Sequence, residues 1–67
     1  MKYLIWATNT DKFRTSTGWI SNESELFAGE KMLSFNSRND ADSNIKGFNS
    51  CRSYGINKDH PLYKHCN

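Results

Sequence analysis

The sequence predicts an α+β domain: an antiparallel sheet of three strands, one helix, then a short C-terminal strand, in the order βββαβ. Three observations carry this prediction. Aromatic and β-branched residues alternate with polar ones through the first half of the chain. Ala41, Ile45, Phe48 and Cys51 or Arg52 then recur at helical spacing. Strands followed by a helix is the order of an α+β fold rather than of a parallel βαβ unit. The 67 residues, 36% hydrophobic and 13% aromatic, have length for a single domain, residues 1–67. A chain this short buries only about 60% of its unfolded surface, so a second subunit would add stability.

Taken in order, Lys2 to Asn9 form the first expected strand. Tyr3, Ile5 and Ala7 alternate with Leu4, Trp6 and Thr8, and large apolar groups on both faces suit a central strand. Thr10-Asp11-Lys12 reads as a turn. Phe13 to Ser21 reads as a second strand, with Phe13, Thr15, Thr17 and Trp19 on one side and Gly18 marking a bulge. Asn22-Glu23-Ser24-Glu25 is a polar loop, and Gly29 places a turn after Leu26-Phe27-Ala28. Glu30 to Phe35 is the third expected strand, with Leu33 and Phe35 on one face.

The expected helix spans about Asp40 to Tyr54 and buries Ala41, Ile45 and Phe48. Asn39 is its cap, and Asp40 and Asp42 favour the positive end of its dipole. Gly55 takes the left-handed position after the last turn, and Ile56 closes the contact behind it. Gly47 in mid-helix costs about 1 kcal/mol relative to Ala, tolerable where the helix approaches the sheet closely. Asn57 to His60 is a loop, and Pro61 biases His60 toward extension. Leu62 to Cys66 is the expected last strand.

Gly47, Ser50 and Arg52, with Phe48 and Cys51 as apolar replacements, resemble the Gly-Ile-x-Ser-Val-Arg pattern of the YegP-like family. Ala28-Gly29-Glu30 resembles the turn before that family's third strand, and Ser34 that strand's end. The resemblance covers roughly residues 26 to 54. It implies three strands, a helix and a strand. It also implies two units that build one sheet and exchange their last strands. For a chain with one unit that means a homodimer joined through Leu62 and Tyr63.

The bulk numbers narrow the function. Nine Lys/Arg against seven Asp/Glu give a net charge of +2, which excludes a strongly basic nucleic-acid tail and an acidic nucleic-acid mimic. The longest N-terminal apolar run, Leu4-Ile5-Trp6-Ala7, falls short of the roughly 7–15 residues of a secretory core. It falls further short of the ~20 residues of a membrane span, so the expectation is a cytoplasmic chain with no membrane partner. Two cysteines are too few for a disulfide framework.

Cys51, His60, His65 and Cys66 are the soft ligands. Their spacing lacks the paired Cys-x-x-Cys of a zinc site, and adjacent strand residues point to opposite faces. No metal or cofactor is expected, and Cys51 reads as a small core residue. Tyr3, Trp6, Phe13 and Trp19, interleaved with Lys2, Lys12 and Arg14, could form a stacking face for single-stranded nucleic acid. The same four aromatics could equally be the core. Ser, His and Asp occur without a nucleophile motif, and a one-helix domain offers little pocket, so no enzymatic activity is expected.

These points favour a non-enzymatic protein-interaction module. Small size and a surface rich in Asn and Ser suggest a phage or mobile-element inhibitor. It would bind and block a host defence complex in the manner of an anti-CRISPR protein, an analogy of size and composition. The alternatives are a small nucleic-acid-binding module and a housekeeping YegP-like dimer. Candidate contact residues are Lys12, Arg14, Arg38, Lys46, Arg52, Lys58 and Lys64.

Overall fold

The computed structural model describes residues 1–47 and 49–66. Among them are five strands and one short α-helix: β1 (Lys2–Ala7), β2 (Lys12–Arg14), β3 (Trp19–Ile20), β4 (Ser34–Phe35), α1 (Arg38–Ser43) and β5 (Cys51–Ile56). Single 3₁₀ turns lie at Glu23–Glu25 and Tyr63–His65.

β1 is the central strand, as its two apolar faces require. β5 pairs with it antiparallel along its whole length, from Lys2 opposite Ile56 to Ala7 opposite Cys51. Its other edge is shared. β2 takes the Trp6–Ala7 end and β4 takes the Tyr3–Leu4 end. The chain leading into β4 also lies along the residues after β2. Leu33 N–H donates to Arg14 O at 3.2 Å and Ser16 N–H to Lys31 O at 2.9 Å, with Thr15 opposite Met32 between them. Three segments thus pair around a circuit, and the sheet curls into a half-barrel.

The expected three strands, helix and last strand are corrected on three counts. The second strand is a hairpin, because the chain reverses at Thr15–Gly18, where Thr15 N–H donates to Gly18 O at 2.7 Å. Gly18 marks that reversal instead of a bulge.

The helix stops at Ser43. Its cap is Ser37, whose Oγ accepts from Asp40 N–H at 3.1 Å, and Ala41 is its buried residue. Gly47 and Ser50 adopt left-handed backbone, φ +87° and +66°, which a continuing helix forbids. Residues 51–56 then form β5 where the helix was expected to finish. Ile45 follows the helix, and Phe48 lies outside the described residues. Gly55 sits within β5 opposite Tyr3.

The last strand is absent too. Tyr63–His65 form a 3₁₀ turn, and Cys66 alone makes a parallel bridge, to Met32. Leu62 inserts into the core of its own chain, so this segment presents no strand to exchange.

The core lies on one face of the curl. Leu4, Ile20, Met32, Ile56 and Leu62 are buried together, with Phe13, Leu26, Tyr63 and Cys66 packed against them. The C-terminal segment closes this face. Met32 N–H donates to His65 O at 2.8 Å, and Glu23 binds Lys64 and His65 at 3.4 and 3.0 Å.

Candidate functional site

The opposite face is only partly covered. Side chains alternate along a strand, so Tyr3, Ile5 and Ala7 of β1 share this face with Lys12 and Arg14, Trp19, Phe35, and Cys51 and Ser53. The short helix covers the Tyr3–Phe35 end. There Arg38 Nη1 donates to Ser53 Oγ at 2.9 Å and to Ser53 O at 3.3 Å. Its guanidinium lies 5.1 Å from the centre of the Tyr3 ring.

Beyond the helix the sheet is left as a cleft of about 220 Å³, lined by Ile5, Arg14, Trp19, Leu33, Asn44, Ile45 and Cys51. The aliphatic side chains make its floor. Trp19 stands at its rim with 39% of its surface exposed, and the Arg14 guanidinium lies 5.5 Å from the indole centre. Arg14 also donates to Gly18 O at 3.5 Å. A cation over an indole holds two long side chains in one place at a contribution of about 0.5–1 kcal/mol in an exposed position. A second hollow continues from the cleft toward Ala7, Asn9, Thr10 and Lys12, sharing Trp19 and Cys51. A third, lined by Arg38, Asp42, Ile45, Cys51, Arg52 and Ser53, runs between the helix and β5.

Of the seven cationic residues singled out in the sequence, Lys12, Arg14, Arg38 and Arg52 line these three connected hollows. Lys46 is exposed directly after Ile45 in the helix–β5 connection, and Lys58 in the turn after β5. Lys64 is held by Glu23 on the other face.

The four aromatics of the expected stacking surface divide between the faces. Trp6 and Phe13 meet Tyr54 edge-on, with ring centres 5.8 and 5.3 Å apart, and Trp6 Nε1 donates to Asp11 Oδ1 at 3.0 Å. Only Tyr3 and Trp19 belong to the cleft face, each beneath an arginine.

The soft ligands are dispersed as well. Cys51 lines the cleft and Cys66 packs on the core, both as free thiols, and burial pushes the Cys66 thiol up. His60 Nδ1 accepts from Leu62 N–H at 3.1 Å, and His65 faces Glu23. No group of three or more His, Cys, Asp or Glu suited to a metal occurs among the described residues.

Ile5, Leu33, Asn44 and Ile45 are cleft residues that sequence reasoning did not assign to a site, and Cys51 was weighed as a ligand and read as core. The signal for Cys51 was available in Gly47, Asn49 and Ser50, a run of helix-disfavouring residues just before it.

Two carboxylates fix the surrounding loops. Glu30 accepts from Thr15 Oγ1 at 2.6 Å, from Thr17 Oγ1 and from Phe27 N–H at 3.1 Å. These hydrogen bonds hold its pKa below the ordinary carboxylate value, Thr15 foremost. Glu23 is lowered in the same sense, first by its hydrogen bond to His65 and then by Lys64.

Comparison with protein-family models, curated proteins and solved structures finds no match. Of the positions that carry the YegP-like resemblance, Gly47 and Ser50 precede β5, and Cys51 and Arg52 lie in β5 itself. Among the described residues no helix is long and apolar enough to cross a membrane.

Proposed function

We propose that this chain is a non-enzymatic protein-interaction module whose contact surface is the cleft face of the half-barrel. The observation that carries the reading is the Trp19–Arg14 pair at the rim of an apolar cleft. Interface hot spots are enriched in Trp and Arg, placed beside desolvated pockets with polar surroundings. Ile5, Leu33 and Ile45 supply such a pocket, and Lys12 and Arg38 supply cationic surroundings on the same face. The partner class is a host protein complex that the small domain occupies and blocks, in the manner of a phage-type inhibitor. Size and the composition rich in Asn and Ser support that class.

The test is capture of a partner by the immobilised chain, compared with Trp19→Ala and Arg14→Glu. Loss of a hot-spot side chain weakens binding by about 2 kcal/mol or more. Nuclease-resistant capture that Trp19→Ala abolishes is the expected result. Capture unchanged in both variants removes the cleft from the interface. Retardation of single-stranded DNA that disappears with added salt would instead assign the same Trp19, Lys12 and Arg14 to nucleic acid.

A further inference from the structure

The outer edge of β5 has the geometry of a receiving strand. Thr8 N–H donates to Ser50 O at 2.7 Å, which fixes the ladder between β1 and β5. In an antiparallel pair, bonded and non-bonded pairs alternate, so Arg52, Tyr54 and Ile56 bond to β1. Cys51, Ser53 and Gly55 therefore aim their N–H and C=O groups away from it. Among the described residues no strand pairs with that edge and no bond takes those three N–H groups. The single contact is Arg38 on Ser53 O, and a carbonyl has a second lone pair to accept another donor. The edge also lacks the common guards. β5 has no proline, no bulge and one charged residue, Arg52.

The groove of about 370 Å³ between α1 and this edge gives an added strand a place to lie. The geometry points to β5 as the site where an extended segment of a protein partner adds as a sixth strand, with carboxylates on one of its faces. This rests on the protein-interaction reading above and names the partner's chemistry. Strand addition takes affinity from main-chain bonds and specificity from alternate side chains. Here alternate residues of the guest meet different surroundings. Those on one face lie beside Arg52 and Tyr54, and Arg52 is exposed and not ion-paired among the described residues. Those on the other face lie beside Cys51 and Ile45. The guest is thus acidic on one side and apolar on the other, where Arg38 is engaged by Ser53 and the Tyr3 ring and Asp42 on the helix wall disfavours acid.

The experiment measures amide hydrogen exchange in the full chain with a capped peptide, acetyl-(Val-Glu)₃-amide, at millimolar concentration. The expected result is slowed exchange at Cys51, Ser53 and Gly55, with Arg52, Tyr54 and Ile56 unchanged. The corresponding (Val-Lys)₃ peptide gives no slowing, and Arg52→Glu reverses the preference between the two. Arg52 is exposed, so a matching melting curve shows that this variant is folded. Equal binding of a (Val-Glu)₃ analogue N-methylated on alternate residues overturns strand addition, since it lacks the donors. No slowing with the parent peptide overturns it as well. Protection of the three amides in the chain alone, rising with its own concentration, assigns the edge to a second copy and overturns the acidic guest. Partner capture that Trp19→Ala abolishes, in a chain whose β5 amides the peptide leaves unmoved, keeps the cleft reading and rejects this one.

Discussion

Thr15 shows how one side chain sets the local path of the chain. It is 1% exposed, and its Oγ1 donates to Glu30 at 2.6 Å while accepting from Gly18 N–H at 2.9 Å. It therefore ties the β2–β3 reversal to the loop that leads into β4. Thr15→Val keeps the shape and leaves both partners short of a bond, at a cost of roughly 1–3 kcal/mol. Thr15→Ser keeps the hydroxyl and should recover most of the loss, as urea midpoints will measure. Gly55 is the second such position. A Cβ there would meet Met1 Sδ at 2.9 Å and the Tyr3 ring at 3.1 Å. Met1 can swing away, but Tyr3 is fixed across the ladder, so Gly55→Ala should destabilise by about 1–3 kcal/mol through overpacking. The sequence shows the glycine and gives no sign of this use. A glycine after a helical pattern looks like a helix end, and only the register places an aromatic ring over it.

At the scale of elements, β1 and the turn at Gly29 were legible, because each rests on local chemistry. β1 shows two apolar faces. Gly29 adopts φ +81° in the turn closed by Glu30 N–H on Phe27 O. The helix was half legible. Asp40 in its first turn and buried Ala41 were read correctly, but its cap is Ser37 rather than Asn39 and Asp42 lies past the first turn. Ile45 and Cys51 matched helical spacing while lying on a loop and a strand that line the same cleft. Spacing of three or four cannot distinguish one helical face from two segments brought together by a turn. The alternation Arg52, Tyr54, Ile56 carried the strand signal, weakened by Gly55 and Ser53. Hydrogen exchange separates the two readings without mutation. A helix from Asp40 to Tyr54 would protect a continuous run of amides. β5 should instead show slow exchange at Arg52, Tyr54 and Ile56 and fast exchange at Cys51, Ser53 and Gly55. The cleft was legible only as a set of residue types. Trp19, Arg14 and Lys12 were recognised as a possible surface, but their faces follow from a hairpin that the single-strand reading of residues 13 to 21 conceals.

At the scale of the molecule, the half-barrel depends on its C-terminal segment. Leu62 is 2% exposed and packs with Leu4, Ile20, Met32 and Ile56, so residues distant in sequence meet on one side chain. Leu62→Ala should cost roughly 2–5 kcal/mol, enough to unfold much of a domain this small, and thermal melting measures it. The same segment couples the fold to pH. His65 and Lys64 hold Glu23 below the ordinary carboxylate value of 4.5, and Thr15 with Thr17 does the same for Glu30. A carboxylate whose pKa is lower folded than unfolded binds fewer protons in the native state. Its contribution is therefore present above the unfolded value and is lost as pH falls through the folded one. Stability should accordingly hold as pH is lowered toward 4.5 and then decline below it. Both carboxylates lie near the surface, so salt should reduce the charge part at Glu23 and leave the Thr15 hydrogen bond to Glu30 largely intact. Glu30→Gln and Glu23→Gln together should flatten the acid limb of the melting temperature against pH. An acid limb as steep in the double variant as in the parent chain would place the proton uptake on other groups and remove these two loops from the acid response.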